Sequence, residues 1–286
     1  MATLLALKSK IRTAKNVSKT TKAMQMIAAS KLKRAQEAAL SSRPYADKLS
    51  AVSKGLLFKL EEENYHEYMK ASSKSKKTLL IVFAPEKGLC GALTTNVANE
   101  LMKQAKEKRE ELFVVGIGKK IQYSLKSLQT EAIASFDLGT GVPTFDMVYP
   151  ILQIVDDYFL NEKVSSVQIL FPKFSSLFVQ SPQIETLLPV EIPKEPLKVS
   201  GFTLFEPKAP KIIPTLLRHY IEILLHQYLI ETYLSEQAAR TLSMKNATEN
   251  AGEIIESLQL EYNKSRQERI TSELLDSSAV DMEYAN

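Results

Sequence analysis

The chain has 286 residues, 44% of them hydrophobic, which is enough to bury a core and to form one or two domains. No apolar run reaches the roughly 18 residues that a membrane-spanning helix needs, and the first residues lack the apolar segment of a secretory signal. We therefore expect a soluble protein that stays in a bacterial-type cytoplasm. The single cysteine, Cys90, excludes an internal disulfide, and three histidines argue against zinc chemistry.

Charge is distributed unevenly along the chain. Residues 1–60 hold thirteen Lys or Arg against two acidic residues, a balance of +11, although the whole chain carries only +4. The remaining residues must therefore sum to about −7. The sequence thus separates a basic end from an acidic one.

The first predicted element is a long helix. Residues 1–43 contain neither Gly nor Pro, and apolar or small residues recur in steps of three and four, which mark one face of a helix with near-heptad spacing. Past Pro44 the helical pattern resumes to about Leu60, so we predict a helical segment over 1–60. The stripe consists of Leu4, Leu7, Ile11, Ala14, Val17, Thr21, Met24, Ala28, Leu32, Ala35 and Ala39.

Residues 75–195 are predicted to form a central α/β domain. Short β-rich runs alternate with helical patterns, which implies βαβ units on a largely parallel sheet. A last strand follows its neighbour without a helix and is expected to pair with it as an antiparallel edge hairpin. The predicted strands are 78–84, 112–118, 131–138, 165–174 and 177–190, the predicted helices are 95–111, 119–128 and 145–160, and the predicted linkers are 72–76 and 190–214.

The last predicted element is a second long helix, from Thr215 onward, with no Pro and one Gly. Steps of four and three from Leu216 reach Tyr262, so a helix of about 60 residues carries a second near-heptad stripe. Neither long helix can bury its apolar face alone. We predict that residues 210–286 pair with residues 1–60 as an antiparallel coiled coil.

The glycine-containing stretch "PEKGLCGALTTN" (85–96) follows the first strand and precedes a helix, where a phosphate-binding loop would lie. Gly88 and Gly91 match neither the Gly-Lys-Ser/Thr ending of a Walker loop nor the three spaced glycines of a dinucleotide site. The sequence therefore favours a structural turn here. A stand-alone α/β nucleotide-binding protein with helical extensions is kept as the alternative function.

Other residues that could carry chemistry form no recognisable site. Cys90 lies near a helix start without a neighbouring His in sequence, which is more typical of a small core residue. His219 and His226 are seven residues apart on one helix face, but two ligands do not make a metal site. No paired carboxylates or catalytic triad stand out, so we expect neither a catalytic residue, nor a metal, nor a cofactor.

The basic stretch "KTTKAMQMIAASKLKRAQEAA" (19–39) is compatible with four partners when charge alone is considered. A Lys/Arg-rich helix can follow nucleic-acid phosphates, although this one lacks aromatic residues and a known binding motif. It could lie on a membrane surface, although it presents no Trp or Phe to lipid. It could equally be a solvated face of the coiled coil or meet an acidic protein.

Four stretches of the sequence resemble, in matching order, the γ subunit of F-type ATP synthase. They are "KIRTAKNVSKTTKAMQMIAASKLKRAQ" (10–36), "GLCGALTTNV" (88–97), "LSEQAARTLSMKNATENAGEII" (234–255) and "YNKSRQERITSEL" (262–274). The resemblance implies the fold class α/β, with a long antiparallel coiled coil of the N- and C-terminal helices plus a Rossmann-like central α/β domain. It also implies a non-catalytic rotor that couples ion-driven rotation of the c-ring to ATP synthesis or hydrolysis on the β subunits.

The partners that the resemblance implies are proteins only. One γ subunit lies within a ring of three α and three β subunits, and its central domain meets the ε subunit and the c-ring. Neither nucleic acid nor direct membrane insertion is implied. The complex is peripheral to the membrane on the cytoplasmic face of the bacterial inner membrane.

The resemblance also assigns partner-binding residues. The contacts with β are expected at Lys19, Lys22, Met24, Lys31, Lys33, Arg34, Arg240, Arg266, Gln267 and Thr271. Glu206, in "LFEP", matches the part that faces ε and the c-ring. Exposed ion pairs contribute only about 0–1 kcal/mol each. Weak pairs suit a rotor that must leave each β subunit as easily as it meets it.

Two departures from the family pattern concern the end of the chain. Glu268 and Arg269 replace residues that are usually small, and residues 274–286 replace a small apolar tip with an acidic sequence. We expect a complementary collar in the cognate α and β subunits or a frayed tail. The paired-cysteine insert of chloroplast relatives is missing, since Cys90 is alone.

Overall fold

The structure is a computed structural model that describes residues 4–58, 60, 65–72, 74–107, 111–127, 132–191, 206 and 209–284. It divides into two compact units. We call residues 1–27 with 241–286 the coil unit, and residues 28–240 the α/β unit. Among the described residues, no helix has an apolar stretch sufficient to cross a bilayer.

The chain order is helix α1, then five strands and three helices, then helix α5. The elements are α1 (Leu4–Phe58), β1 (Thr78–Phe83), α2 (Leu93–Glu107), β2 (Leu112–Ile117), α3 (Ile121–Ser127), β3 (Ala132–Phe136), α4 (Val148–Phe159), β4 (Ser166–Phe174), β5 (Gln180–Leu188) and α5 (Ala209–Tyr284). Every predicted helix and strand is present.

Both long helices continue through prolines. α1 runs without a break past Pro44, and α5 begins at Ala209, inside the segment predicted as a linker, and includes Pro214. The proline at position 210, the second residue of α5, costs little, because the first N–H groups of a helix have no helical acceptor. Pro44 and Pro214 lie beyond the first turn, where a proline removes one bond of the helix. The rest of the predicted linker, residues 192–205 and 207–208, lies outside the described residues.

In the coil unit, α1 and α5 pair along their predicted stripes. Leu7 of α1 and Ala251 of α5 are buried, and the Thr21 and Thr248 hydroxyl oxygens are 2.8 Å apart. Within the α/β unit the same helices pair again, since Ala35 packs in one cluster with Tyr233 and Leu234. The predicted coiled coil of terminal helices is confirmed in each unit.

Two members of the predicted α1 stripe do not lie in the seam. Val17 and Met24 are 47% and 38% exposed, whereas the polar neighbours Ser18 and Gln25 are half-buried. A regular alternation of four and three steps from Ala14 passes through Ser18, Thr21 and Gln25. The regular spacing determines which residues face the seam. The prediction chose Val17 and Met24 because they are apolar, and was wrong by one position at each.

The five strands form one sheet in the order β3-β2-β1-β4-β5. β1 pairs in parallel with both β2 and β4, β2 pairs in parallel with β3, and β5 joins β4 as the predicted antiparallel edge strand. Parallel neighbours with helices on both faces bury the central strand, and all of β1 is buried. The predicted α/β fold class is confirmed.

Alternate residues of β1 face two different hydrophobic clusters. Leu79, Ile81 and Phe83 join the larger cluster with residues of α4 and the first turns of α5. Leu80 and Val82 join the smaller cluster with residues of α2 and α3. Because successive side chains of β1 point to opposite faces of the sheet, the two clusters lie on opposite faces. α5 packs on the face that carries the larger cluster.

Because His226 of α5 is partly buried, we expect the free energy of unfolding to depend on pH in mild acid. Burial lowers the pKa of His226 below its ordinary value of 6.5, although the imidazole also hydrogen-bonds the Pro143 backbone. The folded state therefore favours the neutral ring. As the pH falls through 6.5, the unfolded chain takes up a proton that the folded chain resists, so the free energy of unfolding decreases.

We expect His226→Gln, which keeps a donor and does not titrate, to weaken this loss of stability in acid. The measurement is the unfolding free energy of both proteins from urea titrations between about pH 7.5 and about pH 5.5. His66, whose pKa is also lowered chiefly by burial, accounts for part of any remaining slope. Identical pH slopes for the two proteins would contradict the assignment to His226.

Candidate partner-binding site

The carboxyl edge of the parallel sheet is where proteins of this architecture bind ligands. In this chain the edge is formed by the loops after β1, β2 and β3, and the first of these turns through two residues of positive φ, Leu89 (φ 62°) and Gly91 (φ 57°). Gly118, after β2, has a φ of 95°. These loops are the part of the α/β unit that could hold a nucleotide.

Side chains of α5 fill this edge. The Glu86 backbone N–H donates to Glu236 Oε2 at 2.8 Å. The Arg240 guanidinium donates to the carbonyl oxygens of Lys87 at 2.9 Å and Gly88 at 3.2 Å. It also pairs with Glu236 Oε1 at 2.6 Å. Glu236 is 3% exposed, so this ion pair lies within the protein.

The Glu86 carboxylate accepts hydrogen bonds from the loops after β2 and β3, the next two strands on one side of β1. Its Oε2 accepts the backbone N–H groups of Lys119 at 3.2 Å and Leu138 at 3.0 Å. Lys119 Nζ lies 3.0 Å from Glu86 Oε1 and 3.1 Å from Asp137 Oδ2, and hydrogen bonds to Glu86 and then to Asp137 raise the pKa of Lys119. Backbone donors that could cradle a phosphate are therefore bound to carboxylates of the chain itself.

Side chains of α5 also bond the end of β4, the strand on the other side of β1 from β2. The crevice between the loops after β1 and β4 is where the strand order reverses. Ser235 Oγ donates to the Pro172 carbonyl at 2.7 Å, and Glu231 Oε1 accepts the Phe174 N–H at 3.2 Å. Burial raises the pKa of Glu231. α5 thus lies over the crevice that a ligand would enter, and residues 85–96, predicted as a structural turn, join β1 to α2 and include the first residues of that helix.

Cys90 belongs to this packing. It is 2% exposed and clusters with Leu93 of α2 and Ala239 of α5. The prediction that it is a small core residue is confirmed. Among the residues that the structure describes, no group of three or more His, Cys, Asp or Glu is arranged to hold a metal ion.

Four of the predicted contact residues on α1 are exposed cations. In the coil unit Lys19 and Lys22 are exposed beside Met24. In the α/β unit Lys33 and Arg34 are exposed, and none of these four cations forms an ion pair with a described residue. Uncompensated cations on a packed helix are available to an acidic partner.

Two predicted partner residues have internal contacts. Lys31 Nζ donates to the Thr140 carbonyl at 2.7 Å. The side chain of Arg240 is 14% exposed and bonds the loop after β1, as described above. The geometry of Arg240 therefore supports a role in holding that loop.

The remaining predicted residues are solvent-facing. Arg266, Gln267 and Thr271 are exposed near the end of α5, where the Thr271 hydroxyl donates to the Gln267 carbonyl at 2.9 Å. Glu206 is exposed as well. The side chains of residues 276–286, on which the expectations for the acidic tail depend, lie outside the described residues, although the backbone of α5 is helical to Tyr284.

Sequence reasoning missed the residues that close the sheet edge, above all Glu86, Lys119 and Glu236. Their contacts join residues 33 to 150 positions apart, and no local pattern signals such pairs. The second long helix offered only a weak signal. The run "SEQAAR" (235–240) combines Ser, Glu and Arg with small residues, and its Ser235, Glu236 and Arg240 lie off the predicted apolar stripe, on a part of the helix that the sequence alone leaves unassigned.

The architecture defines a class of protein that combines a coiled coil of its terminal helices with an α/β sheet whose ligand edge is closed by the chain's own last helix. The profile of the ATP synthase family matches residues 3–278. The chain is 35% identical over 280 residues to the ATP synthase gamma chain of Ruthia magnifica subsp. Calyptogena magnifica, and 96% of each chain is covered. It is 33% identical to that of Dehalococcoides mccartyi strain BAV1, over 96% of this chain and 97% of the relative. The chain belongs to the ATP synthase γ-chain family.

Solved structures share the fold at low identity. The rotor of Euglena gracilis mitochondrial ATP synthase matches with a TM-score of 0.69 and 18% identity, over 93% of this chain and 98% of the other. The central stalk and c-ring structure of Tetrahymena thermophila mitochondrial ATP synthase matches with a TM-score of 0.62 and 23% identity, over 80% and 99%. The fold predicted from the family resemblance is confirmed.

Proposed function

We propose that this chain is the central-stalk rotor subunit of an F-type ATP synthase and couples rotation of the c-ring to ATP synthesis or hydrolysis on the β subunits. The observation that carries the proposal is the likeness to γ chains over 96% of both sequences. The closed sheet edge supports it, because the groups that would bind a nucleotide are already bonded within the chain. In this proposal the chain itself catalyses no reaction and needs no cofactor.

The proposed partners are three α and three β subunits around one copy of this chain, together with ε and the c-ring. The complex is peripheral to the membrane, and we place it on the cytoplasmic face of the bacterial inner membrane. We divide the chain by role into a helical shaft, residues 1–60 with 210–286, and an α/β domain, residues 75–195. Glu206 is assigned to the contact with ε and the c-ring.

The β subunits are proposed to meet two surfaces of the shaft. Lys19, Lys22, Lys33 and Arg34 face an acidic segment of β, with Met24 as an apolar neighbour and Lys31 beside them. Each exposed pair contributes about 0–1 kcal/mol, which permits rapid exchange between successive β subunits. Arg266, Gln267 and Thr271 form the second, polar surface. Arg240 is proposed to support the contact with β indirectly, because it holds the loop after β1.

Co-expression with the cognate α and β subunits tests the proposal. We expect a complex of three α, three β and one copy of this chain by sizing and subunit stoichiometry, with ATPase activity that depends on the chain. The isolated chain is expected to bind neither ATP nor NAD measurably. Elution of the chain alone, together with nucleotide binding by it, would overturn the rotor proposal in favour of the nucleotide-binding alternative.

A further inference from the structure

We propose that the hydrogen bonds between α5 and the carboxyl edge of the sheet form a rotational lock that transmits twist between the sheet and α5. This inference rests on the proposed rotor function and concerns a joint inside the α/β unit. We call the joint the edge lock. Its members on α5 are Tyr228, Glu231, Ser235, Glu236 and Arg240, and its members on the sheet side are Glu86, Lys87, Gly88, Pro172, Phe174 and Glu185.

Apolar packing alone resists separation of α5 from the sheet better than it resists rotation. Leu217, Ile221, Leu225 and Leu229 are fully buried in the cluster that includes alternate residues of β1. Hydrophobic association has no directional requirement, so a helix can turn about its axis while much of its apolar area stays buried. Hydrogen bonds weaken steeply when their angles change. A joint that carries torque therefore needs directional contacts.

The edge lock places such contacts on two sides of α5. The first row bonds β4 and β5 through the Tyr228 hydroxyl to Glu185 at 2.7 Å, and through Glu231 and Ser235 to the end of β4. The second row, Glu236 and Arg240, bonds the loop after β1. Successive residues of a helix are about 100° apart around its axis, so the rows flank the buried stripe. Rotation in either direction strains one of the rows.

Burial makes this joint stiff. Ser235 and Glu236 are 0% and 3% exposed, so water has little access to replace a bond of theirs that stretches. A buried polar group that loses its partner loses far more free energy than an exposed one. The contacts of the edge lock therefore open together or stay closed.

Glu86 extends the lock across the sheet. Its backbone N–H is bound by Glu236 of α5, while its carboxylate holds the backbone of Lys119 after β2 and of Leu138 after β3. A turn of α5 would have to move the ends of three strands together. Glu86 and Glu236 are thus positioning residues, which act through the backbone groups that they hold.

The test uses the assembled complex of this chain with its cognate α and β subunits, with the ring immobilised and the rotor stalled without nucleotide. A rod attached to an engineered cysteine at Lys106→Cys, on the exposed side of α2, reports the angle of the α/β unit. We expect Glu236→Ala to raise the variance of this angle about two- to threefold, since the bond to the Glu86 N–H and the ion pair that orients Arg240 are both lost. Glu236→Gln keeps an acceptor for the Glu86 N–H and is expected to raise it less.

Matched variants separate the lock from general destabilisation. Glu107→Gln removes an exposed carboxylate on α2 and is expected to leave the variance unchanged. Ser235→Ala is a smaller change, and we expect this variant to fold. It removes one bond of the first row, to the Pro172 carbonyl, and is expected to widen the distribution of rod angles in the opposite direction of rotation from Glu236→Ala. A lower melting temperature for Glu236→Ala with an unchanged variance in both variants would overturn the lock. Failure of the wild-type chain to assemble or to turn would instead overturn the proposed function, and the lock with it.

Discussion

Gly118→Ala is expected to destabilise the α/β unit by about 3 kcal/mol or more, because it combines a steric clash with backbone strain. A Cβ atom at this position would lie 2.1 Å from the Ala84 carbonyl oxygen. The backbone here has a φ of 95°, which residues with a side chain rarely adopt. The clashing oxygen belongs to backbone that is itself fixed, since the Ala84 N–H donates to the Ile117 carbonyl at 2.9 Å.

Two other glycines serve as controls for this substitution. Gly139 has a φ of 70° but open space around the Cβ position, so Gly139→Ala isolates backbone strain and should cost about 1 kcal/mol. Gly141 has neither positive φ nor a close neighbour, and Gly141→Ala should be close to neutral. Urea unfolding followed by tyrosine fluorescence is suited to a chain with eleven Tyr and no Trp. Equal midpoints for Gly118→Ala and Gly141→Ala would show that the loop shifts without cost.

Reversing two charges on the basic face of α1 is expected to have the largest effect on activity. In the double variant Lys22→Glu with Arg34→Glu, two proposed attractions with an acidic segment of β become repulsions. Since single exposed pairs contribute about 0–1 kcal/mol, we expect the ATPase activity of the complex to fall roughly tenfold at low salt. The loss should shrink as salt screens the charges.

A control for total charge is available on two other helices, α2 and α3. Lys106 and Lys126 are exposed on α2 and α3, and Lys106→Glu with Lys126→Glu changes the net charge by the same amount. We expect this control to retain nearly full activity in the same ATPase assay. If both double variants lost activity equally and with equal salt dependence, the effect would come from net charge, and the contact with β at Lys22 and Arg34 would be refuted.

The buried seam of the coiled coil shows one limit of prediction from sequence patterns. The spacing of apolar residues was sufficient to predict each helix, and all of the predicted helices and strands are present. The one-residue error at Val17 and Met24 arose because apolar identity was weighed above the regular alternation of steps. Gln25 is half-buried because the helix presents it to the seam, and its polarity cannot change that geometry.

The ends of elements were less predictable than their existence. The start of α5 at Ala209 was missed because the prolines at 210 and 214 indicated a linker, although the first falls in the first turn of the helix and the helix continues through Pro214. Pro44 likewise left α1 continuous. A single-residue propensity of this kind is overridden when the rest of the helix is held by packing.

By itself, the sequence determined the periodic elements and the basic face of α1, because each depends on residues near one another in the chain. It also indicated the antiparallel pairing of the two long helices, because neither can bury its apolar stripe alone. It also carried the family resemblance, through stretches that read in order. Only the tertiary structure decided that α5 closes the ligand edge and that Glu86, in the loop after β1, binds the loops after β2 and β3. Those contacts join residues far apart in sequence, and a buried carboxylate is stable only where folding brings donors to it from several elements at once.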